Sequence, residues 1–265
     1  MKHCHLSLCF NELPFLKQKL PFLYDNFDQI IFIDYNILKK CNSDDGSVEY
    51  IENFNDCKKK ITLLKNFNPD EINDYNGVSI VEKRKMFAYG SKYIRDDIDI
   101  LWATDLDEFF NIELIKDVEN LYSYDNELVS IDIPHIPFVY NQFNIFSVDT
   151  LFYIKPRITK HIKNKIYGHC NFETYGKTIK ISHEYLYHFS YVGINRCKDK
   201  LLLYSLHYKD RQKWIDKYLS FLKNGDKYIN INHPGMIHIK TIKYENEYIP
   251  AYININEMIN ELNKY

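Results

Sequence analysis

Over the first 110 residues, apolar runs of strand length alternate with stretches of helical periodicity. HLSLCF (5–10) reads as a strand. NELPFLKQKLPFLYDNF (11–27) reads as a helical stretch with Asn11 as N-cap and Pro14 in its first turn, and Pro21 predicts an end or a kink. QIIFIDY (29–35) is a continuous apolar run with β-branched residues, the pattern of a strand buried on both faces of a parallel sheet. NSDDGSVEYIENF (42–54) predicts a turn and a short helix, KITLLK (60–65) a third strand, VSIVEKRKMFAYGSKYIRDD (78–97) a long amphipathic helix, and IDILWATD (98–105) the next strand. This βαβαβαβ order implies an α/β layer built on a mostly parallel sheet with right-handed crossovers.

After residue 110 the pattern changes. A helix is expected over NIELIKDVENLYS and a strand over ELVSIDIP, followed by a loop rich in proline and aromatic residues. Strand-like pieces then follow at LFYIKPRIT, KIYGH, TIKIS and EYLYHFSYV, and helices at roughly 194–206 and 209–223. There is no internal repeat and no Gly/Ser-rich linker. One continuous domain over 1–265 is therefore expected, with a first half at 1–110, a second at 111–225 and a C-terminal tail at 226–265 that packs on the domain.

Charge changes this picture more than composition does. The net charge is only -2, but residues 1–150 hold 15 Lys+Arg against 26 Asp+Glu, a balance of -11, and residues 151–265 hold 19 against 10, a balance of +9. The two halves present electrostatically different surfaces. Six cysteines without a CxxC pair or zinc-like spacing read as reduced thiols, some of them buried. No stretch approaches about 18 consecutive apolar residues, and the N-terminus lacks the apolar run of a signal peptide, so a cytoplasmic protein is expected. The abundance of Tyr (23 residues), with plentiful Asn, Ile and Lys, fits an A/T-rich coding sequence, as in a virus, phage or low-GC bacterium, and a viral protein would act in the host cytoplasm.

In α/β sheets of this kind, ligands sit beyond the carboxyl ends of the strands, and Asp34 and Asp105 both fall at such ends. The segment DILWATDLDEFF (99–110) carries three carboxylates within four residues, Asp105, Asp107 and Glu108. Alternate carboxylates just past a strand can turn toward one point, and a hard divalent cation is held by one or two carboxylates together with phosphate oxygens. The bland alternative is a helix N-cap cluster, and Glu108 is expected to order the following FFN turn instead of touching a metal. His188, on the strand EYLYHFSYV, is either a packed core residue or a metal ligand. His169 lines an acceptor pocket or packs beneath one. The stretch KPRITKHIKNKIYGHCNFETYGKTIK has seven Lys+Arg and one acid, Glu173, and reads as a solvated face, a phosphate-binding surface or a single-strand nucleic-acid surface. Arg84 and Lys83, on the helix before the Asp105 strand, either touch donor phosphates or are only solvated. His3, Cys4, His5 and Cys9 lie on an alternating strand and read as strand residues in preference to a metal cluster.

DILWATDLDEFF closely resembles the W-x-x-x-D-x-DEF segment of GT-A glycosyltransferases, and other segments match in order. NELPFLKQKLPFLYDNFDQIIFIDYN resembles the opening of families 2, 17 and 92, NSDDGSVEYI the N-S-x-D-G-S/T piece that follows, and EKRKMFAYG the helix carrying a basic residue. LFYIKPRI, YGHCNF and LYHFSYVG are similar to the later K-x-h-h-R-P, h-x-H and h-x-H-Y/F segments, so the likeness spans about residues 5–207. The chain lacks the glycine before the second strand and has Tyr35-Asn36-Ile37 in place of the usual Asn-Ser.

The resemblance implies a GT-A-like (Rossmann-like) three-layer α/β/α fold and a metal-dependent transferase that moves a sugar from a nucleotide-diphosphate donor, a UDP-sugar foremost, to an acceptor hydroxyl on a glycan, glycoprotein or modified DNA. It implies Mn2+ or Mg2+ on Asp105, Asp107 and His188, and a nucleotide pocket lined by Asn11, Glu12, Asp34, Arg84 and Asp105. The general base is open among Glu173, Glu184, Asp132 and His169, with Glu173 and His169 put forward. The rival readings are a sugar-nucleotide nucleotidyltransferase, disfavoured by the lack of a glycine-rich phosphate loop after the first strand, and a non-enzymatic carbohydrate- or nucleic-acid-binding protein.

Overall fold

The structure is a computed structural model that describes residues 1–36, 41–67, 80–147, 152–153, 156–165, 167, 176–192, 228–229, 239–243 and 249–262. The helices expected at 194–206 and 209–223 lie outside these residues. In chain order the elements are β1 (His3–Leu8), α1 (Leu13–Asn26), β2 (Gln29–Asp34), α2 (Ser47–Glu52), β3 (Ile61–Lys65), α3 (Ile80–Ser91), β4 (Ile100–Trp102) and β5 (Glu108–Phe109). They continue with α4 (Ile112–Tyr124), β6 (Leu128–Asp132), β7 (Pro134–Ser147), β8 (Phe152–Tyr153), β9 (Ile158–Lys160), β10 (Lys177–Lys180), β11 (Leu186–Val192), β12 (Tyr228–Ile229), β13 (Ile239–Lys243) and α5 (Ile255–Leu262). Contacts divide the chain into two compact units. The first is Met1–Leu106, Phe110–Pro134 and Tyr153–Glu184; the second is Asp107–Phe109, His135–Phe152 and Tyr185–Tyr265.

The first unit is a sheet in the order β10-β6-β9-β4-β1-β2-β3. β4, β1, β2 and β3 run parallel, and β9 is antiparallel to both β4 and β6. All of β2 and all of β1 but Leu8 are buried, which is why their sequences read as unbroken apolar runs instead of alternating ones. The α/β class and the mostly parallel, Rossmann-like mixed sheet expected from the sequence are what the strands form. In the order 3-2-1-4 the chain leaves β1 toward β2 on one side and returns with β4 on the other, so a topological switch point lies between the carboxyl ends of β1 and β4.

The core of this unit joins Cys4 and Leu6 of β1, Ile31 and Ile33 of β2, and Met86, Phe87 and Ala88 of α3. α3 approaches closely because residue 90 is glycine: a Cβ there would stand 2.6 Å from Ile33 Cδ1 and 2.7 Å from Leu6 Cδ1. A second cluster centres on Trp102, fully buried, stacked on Phe110 at 4.9 Å and meeting the edge of Phe27 at 5.6 Å. Cys4 and Cys9 are buried free thiols, and Cys41 and Cys57 exposed ones.

α1 runs through Pro21 instead of ending there. Proline removes one backbone donor, but Phe15, Leu16, Leu20 and Leu23 are all buried, and tertiary packing of that apolar face carries the helix past the gap. Its N-cap is Glu12, one residue later than expected.

The second unit is a sheet in the order β12-β13-β7-β11-β5, with β8 also paired to β7. Its central strand, β7, occupies the segment expected to be a proline- and aromatic-rich loop. Pro134 sits at the first position of the strand, where a missing N–H is tolerated, and β-branched and aromatic residues follow. Lys165 and Tyr167, from the expected strand KIYGH, are in no strand. No helix among the described residues is long and apolar enough to cross a membrane.

Candidate functional site

At the carboxyl ends of β1 and β2 the chain builds one polar plate from two loops. Asn11 adopts a left-handed conformation (φ 51), tolerated by asparagine's short polar side chain. Its backbone N–H donates to Ser43 Oγ at 2.8 Å, its side-chain amide donates to Asp44 Oδ1 at 2.9 Å, and its Oδ1 accepts from the Asp44 N–H at 3.0 Å. The Glu12 N–H donates to Ser47 Oγ at 3.2 Å and the Leu13 N–H to Asp45 Oδ2 at 2.9 Å, so NSDDGS supplies the acceptors for the open end of α1. Asp34 accepts from the Ser43 N–H at 2.9 Å, from the Ser43 hydroxyl and from Cys9 Sγ at 3.7 Å. Burial pushes its carboxyl above the usual range, against the pull of the Ser43 bonds. Ser43 thus joins the Asn11–Glu12 loop to Asp34. The structure adds Ser43, Asp44, Asp45 and Ser47, whose signal in the sequence was the run of small polar residues after β2.

Across the switch point, Asp105 follows β4 and is half-buried. Its carboxylate faces the Arg157 guanidinium at 3.7 Å, and the Arg157 carbonyl accepts from the Ala103 N–H at 2.8 Å. Beneath it lies a fully buried ammonium. Lys19 Nζ donates to the Asp105 carbonyl at 2.7 Å and to Thr104 Oγ1 at 3.2 Å, and sits 5.5 Å from the centroid of the Phe110 ring. The Thr104 hydroxyl, which accepts from Lys19, also lies 2.7 Å from His5 Nε2, within hydrogen-bond distance. Replacing Lys19 by Met is expected to lower unfolding free energy by about 2 kcal/mol, because a buried carbonyl loses a charged donor. Urea unfolding followed by far-UV circular dichroism measures it, and Lys19→Arg is expected to recover less than half of the loss because its planar fork does not fit that acceptor geometry.

His3 and His5 share one pH signature. His3 Nδ1 accepts from Trp102 Nε1 at 2.9 Å, so its proton sits on Nε2 and is donated to Glu119 Oε1 at 3.1 Å. Burial is the first cause that lowers the pKa of both rings, and nearby Lys19 lowers that of His5 further. The folded chain therefore binds fewer protons than the unfolded one. Their contribution to stability is present above the unfolded value of 6.5 and is lost as pH falls through the depressed folded values. Unfolding free energy is expected to drop between pH 7.5 and pH 5.5, with a shallower slope in His5→Gln.

In the second unit, a different group of side chains converges. Asp107 is buried, with its carbonyl accepting from the Phe189 N–H at 2.8 Å and its Oδ1 3.6 Å from His188 Nε2. Glu108 is fully buried on β5, with Oε1 3.8 Å from His135 Nδ1. The carboxylate of Glu108 therefore faces an imidazole instead of simply ordering the next turn. The rings of His135 and His188 meet at 74° with centroids 5.7 Å apart. One ligand atom from each of Glu108, His135 and His188 lies within 4.8 Å of the others. Sequence reasoning selected His188 and missed His135, whose segment was expected to be a loop.

Arg84 lies in α3, whereas His169 and Glu173 lie outside the described residues. Of the other two candidate bases, Asp132 and Glu184 are half-buried carboxyls raised by burial, Glu184 also by the neighbouring charge of Asp117.

No protein-family model matches the chain, and no curated protein matches it. Among solved structures, the chain is similar to S. aureus TarS residues 1–349, with TM-score 0.45 and 15% identity over 84% of this chain and 71% of that one. It is also similar to the 4-diphosphocytidyl-2C-methyl-D-erythritol synthase of Anaerococcus prevotii, with TM-score 0.40 and 11% identity over 76% of this chain and 93% of that one.

Proposed function

We propose that the chain is a metal-dependent glycosyltransferase acting from a nucleotide-diphosphate sugar, UDP-sugar foremost, on an acceptor hydroxyl of a glycan, glycoprotein or modified DNA. The observation that carries this reading is the switch point between β1 and β4, where Asn11 and Glu12 on one side and Asp105 on the other flank the place at which a 3-2-1-4 sheet binds a nucleotide. Asp34, held by Ser43, supports the nucleotide loop. Arg157, 3.7 Å from Asp105, offers a planar cation suited to phosphate oxygens.

Asp107 and His188, a carboxylate and an imidazole 3.6 Å apart, fit a divalent ion, and an imidazole donor favours Mn2+ over Mg2+. Asp105 is the first carboxylate of the D-x-D segment in the sequence. Asp107 and His188 would hold such an ion, and its positive charge would offset the negative charge of a departing diphosphate. The chain's own groups do the rest: the switch-point loops orient the nucleotide, and a carboxylate or imidazole of the second half, Glu173 or His169, takes the acceptor proton if the reaction inverts. The whole of 1–265 acts as one catalytic domain in this reading.

Thermal shift with UDP-, GDP- and dTDP-sugars, with and without Mn2+, tests it. A donor that raises the melting temperature only with metal, and releases nucleoside diphosphate, supports transfer. Release of pyrophosphate supports a nucleotidyltransferase, and no stabilisation by any donor sinks the transferase reading.

A further inference from the structure

Three strands far apart in the chain bring Glu108, His135 and His188 onto one face of the second sheet. In the antiparallel β11–β5 ladder, His188 stands directly opposite Glu108, so both side chains leave the same face. In the parallel β11–β7 ladder, His188 stands opposite Pro137 and Leu186 opposite His135, which places His135 two residues from Pro137 on that face again. Register alone therefore converges two imidazoles and one carboxylate.

We propose that Glu108, His135 and His188 form a resident site for a first-row transition-metal ion, loaded without any nucleotide sugar. The site shares His188 with the donor-side pair described above, but it rests on these three residues and does not need the transferase reading. The donor set decides the class of ion. Two nitrogens and one carboxylate oxygen suit Zn2+, Fe2+, Co2+ or Mn2+, whereas Mg2+ and Ca2+ take oxygen donors and retain water. Donor atoms around a bound ion of this kind sit about 3 to 3.5 Å apart. The three donor atoms now lie within 4.8 Å of one another, so they draw closer when an ion is taken up.

The side chains of Glu108 and His135 are fully buried, and that of His188 is 15% exposed. An ion thus enters on the His188 side and is retained once inside. Three protein donors leave further positions for water, and Asp107 Oδ1, 3.6 Å from His188, is within reach of such a water.

The test uses the full chain stripped with chelator, then loaded with Zn2+ or Co2+ alone and passed through gel filtration. One ion per chain is expected by elemental analysis. Co2+ is expected to give visible d–d bands, unchanged by millimolar Mg2+. Glu108→Gln and His135→Gln are each expected to weaken Co2+ binding by roughly 100-fold or more, since even removal of a group behind a ligand costs up to about 100-fold. Circular dichroism establishes that each variant is folded. Anomalous diffraction at the zinc edge from wild-type crystals needs no variant and is expected to place the ion among Glu108, His135 and His188.

An ion found elsewhere, no retained ion, displacement by Mg2+, or folded variants that bind Co2+ normally would overturn the proposal. Its failure is separable from that of the transferase reading. A zinc-loaded chain that no nucleotide sugar stabilises leaves the metal site standing and removes the enzyme, and a chain stabilised by donor with Mg2+ but holding no ion at this site does the reverse.

Discussion

Asp107→Asn is expected to lower metal-dependent sugar transfer by about 10² to 10³-fold, the scale on which loss of one group stabilising transition-state charge is felt. The asparagine keeps the volume of a buried side chain and leaves the backbone carbonyl that accepts from the Phe189 N–H untouched, so the fold should survive. What is lost is the anionic oxygen 3.6 Å from His188 Nε2. Calorimetric titration with UDP-sugar in the presence and absence of Mn2+, alongside release of nucleoside diphosphate, reads the effect. The metal-dependent part of donor binding is expected to vanish while circular dichroism is unchanged. Normal binding and turnover in the variant would remove Asp107 from the donor site.

Trp102→Ala is expected to cost about 3 to 5 kcal/mol in unfolding free energy, the range for emptying a buried aromatic site. Trp102 stacks on Phe110, abuts Phe27 and donates to His3 Nδ1, so its removal leaves a cavity at the end of β4 and takes the donor from a buried imidazole. Trp102→Phe retains most of the packing and forfeits the hydrogen bond, and about 1 to 2 kcal/mol is expected. Urea midpoints followed by far-UV circular dichroism distinguish the two variants. Equal losses would mean that the Trp102–His3 bond, which both variants lack, accounts for the whole effect and the packing of the ring for none of it.

The elements of the first unit were legible because each wrote a complete local signal. β2 is six buried residues in a row, α1 carries Pro14 in its first turn, and the turn chemistry of NSDDGS lies just after β2. Pro21 shows the limit of such signals. A local helix breaker was outvoted by an apolar face that only packing reveals. β7 shows the opposite failure: two prolines and several polar residues broke a pattern that pairing with β11 and β13 restores.

The candidate site divides in the same way. Asp34, Asp105 and Asp107 could be found from the sequence, since a carboxylate just past an apolar strand is a local feature of the chain. Arg157 beside Asp105, the buried Lys19 under its carbonyl, and His135 beside Glu108 could not. What the sequence determined by itself was the α/β class, the mostly parallel character of the sheet and the places where charge meets strand ends, because hydrophobic periodicity and turn chemistry act over a few residues. What only the tertiary structure decided was which charged groups face one another. That depends on strand register between residues as distant as 108, 135 and 188, and a shift of one residue in either ladder would send one of those side chains to the opposite face of the sheet.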